Sequence, residues 1–340
     1  MDSNIYLVDE TSMLDTSLAH ALFDAIPKGS KVIMLGDIRQ LPAIGAGNVL
    51  LEVMNSEICP VVTLNVPKRQ AKGSSIYENA SRILKSTLIL PDQKDTFWFK
   101  TTNGYQATQK VLQVVKTIST YKPEAIQVLS PMKVGKCGTY LLNYHLQREW
   151  NKSNPDSKQL NRSFEVDNTT YRLYFREGDK VIQLSNNSEL EWVTKQSDGV
   201  YVECDDKKGT VVTNGEQGII EEIFEDDVKL KGDRVQKVTT MAVRYDEGIV
   251  LYRGNDKQHL DHAYAISIHK AQGSQWPVVI QVLDATHHIM LSNELVYTGY
   301  SRASEKHVLI ADEESVLRAV NQRVSTKRRT SLEDRINEGR

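Results

Sequence analysis

Two short stretches decide the fold: Ile5-Tyr6-Leu7-Val8-Asp9-Glu10 and, further along, Lys31-Val32-Ile33-Met34-Leu35-Gly36-Asp37. Each is an apolar run that ends abruptly in carboxylates, the pattern of a buried parallel strand delivering acids to the edge of a sheet. Between them, residues 16–26 carry Leu18, Ala21, Leu22, Ala25 and Ile26 at helical spacing. Strand, helix and strand in so few residues predict a right-handed crossover unit with both strands pointing the same way. Asp9, Glu10 and Asp37 then lie along the carboxyl edge, where open α/β sheets bind ligands. A Mg²⁺ ion takes hard oxygen ligands and shares them with substrate phosphates, a role that suits Asp9. Glu10 suits the orientation or deprotonation of a water. An isolated Asp-Glu pair after an apolar run would equally end a strand in solvent, and it is the second strand that favours the ligand reading.

The chain of 340 residues is long enough for two or three domains. With 25% charged and 40% hydrophobic residues, it is of ordinary globular composition, which argues against wholesale disorder. No apolar run approaches the roughly 20 residues of a membrane helix. The start, Met1-Asp2-Ser3-Asn4, lacks the basic region and apolar core of a signal peptide, so a cytoplasmic location is expected. Cys59, Cys137 and Cys204 lie far apart without paired metal-ligand spacing, which predicts free thiols. A net charge of only -2 means that any nucleic-acid groove must be a local basic patch.

After Pro42, the pattern predicts a small-residue loop at 43–48, a helix at 49–54 and a strand at 61–64, followed by the basic loop 65–70. Pro67 and Gly73 bracket a hinge, and helices follow at 76–84 and 109–118, with a strand at 125–129. A helix at 140–151 leads into a polar loop at 152–162. From about Phe175, short β-like runs at 180–184, 200–203, 209–212, 218–224, 238–245 and 248–252 are separated by turn signals such as Asn214-Gly215. They predict a small antiparallel barrel or sandwich inserted in an α/β chain. Strands at 263–268, 278–283 and 307–310 and a helix at 313–320 close the pattern. The tail from Asn321 is polar, contains Lys327-Arg328-Arg329 and is expected to be flexible.

Val8-Asp9-Glu10 with Gly36-Asp37-Ile38-Arg39-Gln40-Leu41-Pro42 resembles the superfamily 1 helicases, and further motifs recur in order. Leu64 to Gln70, ending in Arg69-Gln70, is similar to the fourth motif. Tyr264-Ala265-Ile266-Ser267-Ile268-His269-Lys270-Ala271-Gln272-Gly273-Ser274-Gln275-Trp276 resembles the fifth, and Tyr297-Thr298-Gly299-Tyr300-Ser301-Arg302-Ala303 the sixth. The wording His-Lys-x-Gln-Gly, just after an inserted β region, points to the RecD-like branch, whose members move 5′ to 3′ on single-stranded DNA. The likeness spans nearly the whole chain.

That resemblance implies an α/β, RecA-like P-loop NTPase helicase fold. Residues 1–66 would be the C-terminal half of a first RecA-like domain, and residues 67–175 with 258–320 a complete second one. Residues 176–257 would be an inserted SH3-like β-barrel, and 321–340 a basic flexible tail. ATP with Mg²⁺ would bind between the RecA-like domains, with Asp9 on the metal, Glu10 as the catalytic acid and Asp37, Gly273 and Gln275 near the nucleotide. Gln40 has an amide donor and acceptor suited to contacting the γ-phosphate and the attacking water. Arg69 and Arg302 present guanidinium forks that, by resemblance, reach ATP across the cleft. Where Gln275 stands, the family has an acid that contacts the nucleotide sugar, so ribose recognition would differ here. Ser267, His269 and Lys270 supply donors able to hold a DNA backbone, and Lys133 and Asn143 match a segment near the DNA path. Trp276, Tyr297 and Tyr300 are either base-stacking or core residues.

Val134-Gly135-Lys136-Cys137 is not a phosphate loop, because Ser130 and Cys137 stand where G-x-x-x-x-G-K-[ST] requires Gly and Ser or Thr. No other stretch supplies one. In the family it lies upstream of the Asp-Glu strand, so the sequence reads as the C-terminal part of a helicase with little ATPase activity by itself. The expected partners are single-stranded DNA, ATP, and a separate N-terminal helicase segment or nuclease subunits. The rival is a non-catalytic DNA-binding or adaptor protein that keeps the helicase scaffold.

Overall fold

A computed structural model describes residues 3–64, 73–152, 159–229, 235–324, 328 and 330–339. Packing divides it into two compact units, one from Met1–Asn103 with Ala271–Arg340 and one from Gly104–Lys270. This division reflects contacts, whereas the boundaries expected at 66/67, 175/176 and 257/258 reflect likeness to a fold, and the two do not coincide.

In the first unit, strands Ile5–Val8 and Lys31–Met34 pair in parallel, with Ile5 opposite Lys31 and Val8 opposite Met34. The connecting helix Thr16–Ala25 starts where Asp15 accepts the amide of Leu18 at 2.8 Å, an N-cap that satisfies one of the orphan donors. One side of this small sheet packs with Leu14, Ala19 and Val49, joined by Leu22, Met34 and Val53. Ile5, Leu7, Ile33 and Leu35 remain 59%, 66%, 49% and 40% exposed, although parallel strands are ordinarily covered on both faces. A second parallel set contains Trp276–Leu283, Ala303–Ala311 and Thr96–Lys100, with Ala303–Ala311 in the middle. Helix Asn293–Ser301 forms the crossover between the first two of these strands and is capped by Ser292.

In the second unit, Ile126–Ser130 pairs in parallel with Ala265–Ser267, and helix Thr139–Trp150 follows the first of them. The β-rich region forms an antiparallel sheet in the order 260–262, 180–183, 217–229, 235–245, 248–253, 191–195, 201–203. Its core gathers Phe175, Val181, Trp192, Ile220, Met241, Val243, Val250 and Tyr252. The order is open: no pairing joins the two outermost strands among the described residues.

Several local expectations change. Residues 61–64 are not a strand among the described residues, and Val62 and Leu64 are over 80% exposed, so apolar character alone did not find a partner ladder. Strand Thr96–Lys100 was not expected from sequence, and neither was the hairpin Leu160–Val166 with Thr169–Tyr174. Residues 160–162, expected in a loop, begin that hairpin. At the other end of the chain, the tail beyond Asn321 contains the helix Leu332–Glu338.

Candidate functional site

The first unit brings the acids of the parallel strands together with the sixth motif. Asp9 and Glu10 follow directly on strand Ile5–Val8; Asp9 is exposed and its Oδ1 accepts the amide of Glu10 at 2.8 Å. Glu10 itself has φ 51° and ψ 36°, the left-handed region that a non-glycine residue enters only at a cost. Thr11 then anchors the turn, its amide and hydroxyl both donating to the carbonyl of Leu35 at 2.8 and 2.7 Å. Gly36 allows this approach, since a Cβ there would sit 2.9 Å from Thr11 Oγ1 and 2.7 Å from Leu50. The two strand ends are thus locked side by side.

Asp37 accepts from the Arg39 amide at 3.0 Å, from Arg39 Nε at 2.8 Å and from the Tyr297 hydroxyl at 2.9 Å. Burial, and then the Asp37 carboxylate, raise the Tyr297 phenol above its ordinary value, so it stays a donor. Burial works against the charge of Arg39, but its bond to Asp37 and the surrounding negative potential together outweigh that and raise its pKa. Leu41 is held from both sides, its amide donating to Thr298 Oγ1 at 2.9 Å and its carbonyl accepting from Gln272 at 2.7 Å. Gln40, only 8% exposed, accepts Arg302 Nη2 at 3.1 Å through Oε1. Arg302 is fully buried and also donates to the carbonyls of Ser274 and Thr298 and to Ser301 Oγ.

The structure therefore joins Gln40 with Arg302, and Asp37 with Tyr297, across more than 250 residues of sequence. Tyr297, Thr298 and Gln272 act here as latches, a role that their place in the motifs did not reveal. Trp276 and Tyr300 are core residues, 7% and 0% exposed, and Tyr300 stacks on His307. Gly273 has φ +78° with open space at its Cβ, so backbone conformation rather than crowding explains the glycine. Gln275 is exposed. Arg69 lies outside the described residues.

The second unit carries the other set. Ser267, Lys270 and Lys133 line one groove together with Tyr140 and Asp261. Lys270 Nζ donates to Asn214 at 2.9 Å. Burial, and then the nearby Lys133, lower the Lys270 pKa, and burial alone lowers that of His269. Two ammonium groups that repel each other along a groove are both relieved by an anion. Asn143 is 2% exposed and spends its amide on backbone, donating to the carbonyls of His262 and Ala265 and accepting the Ala265 amide at 2.8 Å. It braces the strand that carries Ser267. Lys136 pairs with Asp167 at 2.9 Å and lies over the Tyr105 ring, in keeping with its exclusion as a phosphate-loop lysine.

For Mg²⁺, the exposed carboxylate of Asp9 fits an ion held mainly by phosphates and water. The described residues contain no group of three or more His, Cys, Asp or Glu arranged to hold a metal alone. Comparison with known families matches residues 1–88 to an AAA domain and residues 262–310 to the UvrD-like helicase C-terminal domain. The ATP-dependent RecD2 DNA helicase of Deinococcus radiodurans is 28% identical over 98% of this chain and 40% of its own length. The RecBCD enzyme subunit RecD of Haemophilus influenzae is 23% identical over 97% of this chain and 54% of its own. The chain thus spans about half, or less, of these curated relatives. A Bacteroides Pif1 helicase in complex with ADP-AlF3 and single-stranded DNA aligns over 92% of this chain and 71% of its own, at 17% identity and a TM-score of 0.48, too low to carry inference. With sequence matches at both ends and a relative aligned along almost all of it, the chain is similar to the RecD-like branch of the superfamily 1 helicases.

Proposed function

We propose that this chain forms the nucleotide-sensing and DNA-gripping part of an ATP-dependent helicase that moves 5′ to 3′ on single-stranded DNA. The observation that carries the reading is the bond between Gln40 and the buried Arg302, because it sets an amide and a guanidinium beside the strand ends that carry Asp9 and Glu10. In this reading, Gln40 Oε1 holds the acceptor position that a γ-phosphate oxygen takes when ATP is bound, and Arg302 changes partner from amide to phosphate. Asp9 would hold Mg²⁺, which supplies charge neutralisation on the phosphates, and Glu10 would orient the attacking water. Arg69, Asp37, Gly273 and Gln275 complete the proposed nucleotide contacts. These 340 residues contain no G-x-x-x-x-G-K-[ST] sequence, so this reading requires a phosphate cradle from other polypeptide.

In this reading DNA would lie along the groove of Lys133, Ser267 and Lys270, with His269 nearby as a neutral donor. The expected outcome is little ATPase activity from the purified chain alone. In a preparation that supplies the phosphate loop, DNA-stimulated turnover should fall by about 10³-fold or more in Arg302→Ala and be lost in Glu10→Gln. Robust hydrolysis by the 340 residues alone, abolished by Glu10→Gln, would overturn the reading. Binding of a labelled oligonucleotide should weaken with salt and weaken further in Lys270→Ala; unchanged affinity would move the DNA path elsewhere.

A further inference from the structure

The basic triplet Lys327-Arg328-Arg329 reads from sequence as part of a solvated tail, but Arg328 is part-buried and fully engaged. Its guanidinium donates to the carbonyls of Gly45 at 2.9 Å and Gly47 at 2.7 Å, and to that of Ala43. These carbonyls belong to the loop that directly follows Gln40-Leu41-Pro42. From its other side, that loop is fastened to the start of helix Thr16–Ala25, where the Thr16 amide and hydroxyl donate to Ala46 at 2.9 and 3.0 Å. Its glycines leave no space for a side chain against the start of that helix: a Cβ on Gly45 would sit 2.2 Å from Asp15 Oδ2, and one on Gly47 2.1 Å from Thr16 Oγ1. The Ala43 amide donates to Ser12 at 3.1 Å, two residues beyond Glu10.

A second observation shows that the segment after Arg328 is docked and not merely near. Glu52, only 5% exposed, uses Oε2 to accept Thr330 Oγ1 at 2.7 Å and the Leu332 amide at 3.0 Å. Leu332 then enters the apolar cluster of Leu14, Ala19 and Val49. The last helix thus packs into the same small core that holds Met34 of the second parallel strand.

We propose that Arg328 is a positioning residue for Gln40: with Thr330 and Leu332, it forms a C-terminal tether that fixes the loop 43–47, and through it Gln40, in register with Glu10. The proposal rests on the role given to Gln40 above only for its catalytic meaning; the tether itself is a statement about the loop. It assigns the end of the chain to the nucleotide side of the molecule, where the sequence suggested a free basic tail.

Amide hydrogen exchange on the 340-residue chain tests it without requiring turnover. In Arg328→Ala, peptides covering residues 36–48 should exchange roughly ten-fold faster, since about that factor follows from losing one or two net hydrogen bonds. Peptides from Trp276–Leu283 should be unchanged. Arg328→Lys, which keeps a donor cation but not the fork, should recover part of the protection. Leu332→Ala should loosen residues 36–48 in the same way without touching the guanidinium. Unchanged exchange over 36–48 in Arg328→Ala, or equal loosening of both regions, would overturn the tether. Because exchange and turnover are separate readouts, loss of protection in Arg328→Ala together with normal turnover in Gln40→Ala would leave the tether standing and remove the nucleotide reading.

Discussion

Arg302 is wholly buried and spends donors on Gln40, on Ser301 and on the carbonyls of Ser274 and Thr298. Truncating it leaves these buried acceptors without their donor, so Arg302→Ala is expected to lower stability by about 2–4 kcal/mol in urea denaturation. Arg302→Lys should recover only part, because an ammonium cannot reach the same acceptors from one plane. Another buried cation behaves differently. Lys180, 4% exposed, donates to Ile126 O at 3.3 Å and Gln127 Oε1 at 3.0 Å, and burial lowers its pKa from 10.5 to about 7. Between those values the unfolded chain holds a proton that the folded chain has released, so stability from this group rises with pH across that window. Native protein should therefore gain on Lys180→Met by about 2–4 kcal/mol between pH 7 and pH 10. Urea midpoints at both pH values check this, and a constant difference would mean that the ammonium is solvated after all.

Among the elements, the hairpin Leu160–Val166 with Thr169–Tyr174 turns on Asp167 and Asn168, with φ 47° and 61°. Both residues are in the left-handed region that a two-residue primed turn requires and that Asn and Asp tolerate best. Asn168→Val should cost about 1–2 kcal/mol, and Asn168→Gly should be neutral or slightly stabilising; thermal unfolding of the two variants distinguishes them. This hairpin was legible in principle, since Phe164, Val166 and Tyr171 alternate with polar residues about a two-residue turn. The surrounding run of Asn, Ser, Asp and Lys masked it. Crossover strands ending in Asp9 and Asp37 were plain because an apolar run that stops at an acid has few other readings. Strand Thr96–Lys100 was not plain: it is short and takes its meaning from its neighbour Ala303–Ala311, more than 200 residues away. The same limit hid the latches of the site. Nothing local distinguishes Thr298, which receives the Leu41 amide, from any hydroxyl on a helix.

For the molecule as a whole, acid should act through buried imidazoles. Burial lowers His307 to about 3 and His287 to about 4, from 6.5 when exposed. The unfolded chain takes up protons below 6.5 that the folded chain refuses, so the stability these groups contribute is lost as pH falls from 6.5 towards those values. Replacing His307 with Gln should flatten the fall in urea midpoint between pH 6.5 and pH 4, and an identical slope in both proteins would exclude His307 as a cause. The bare side of the parallel pair, with Ile5 and Leu7 more than half exposed, adds a different vulnerability at this scale, an apolar surface prone to association.

The bond between Gln40 and Arg302 also has a consequence for equilibrium. If Gln40 and Arg302 read the nucleotide as proposed, their cleft contains its own competitor, and arriving nucleotide must displace it. If this charge-assisted bond contributes about 1.5 kcal/mol, the self-paired form outnumbers the open one by roughly ten to one, and apparent nucleotide affinity falls by about that factor. Gln40→Ala should then separate two quantities that usually move together, in a preparation that supplies the phosphate loop. A fluorescent ATP analogue should bind up to about ten-fold more tightly, while hydrolysis slows. Weaker binding and slower hydrolysis together would show that the pair is no barrier to entry. The side chain that detects nucleotide is, on this account, also the one that delays its arrival.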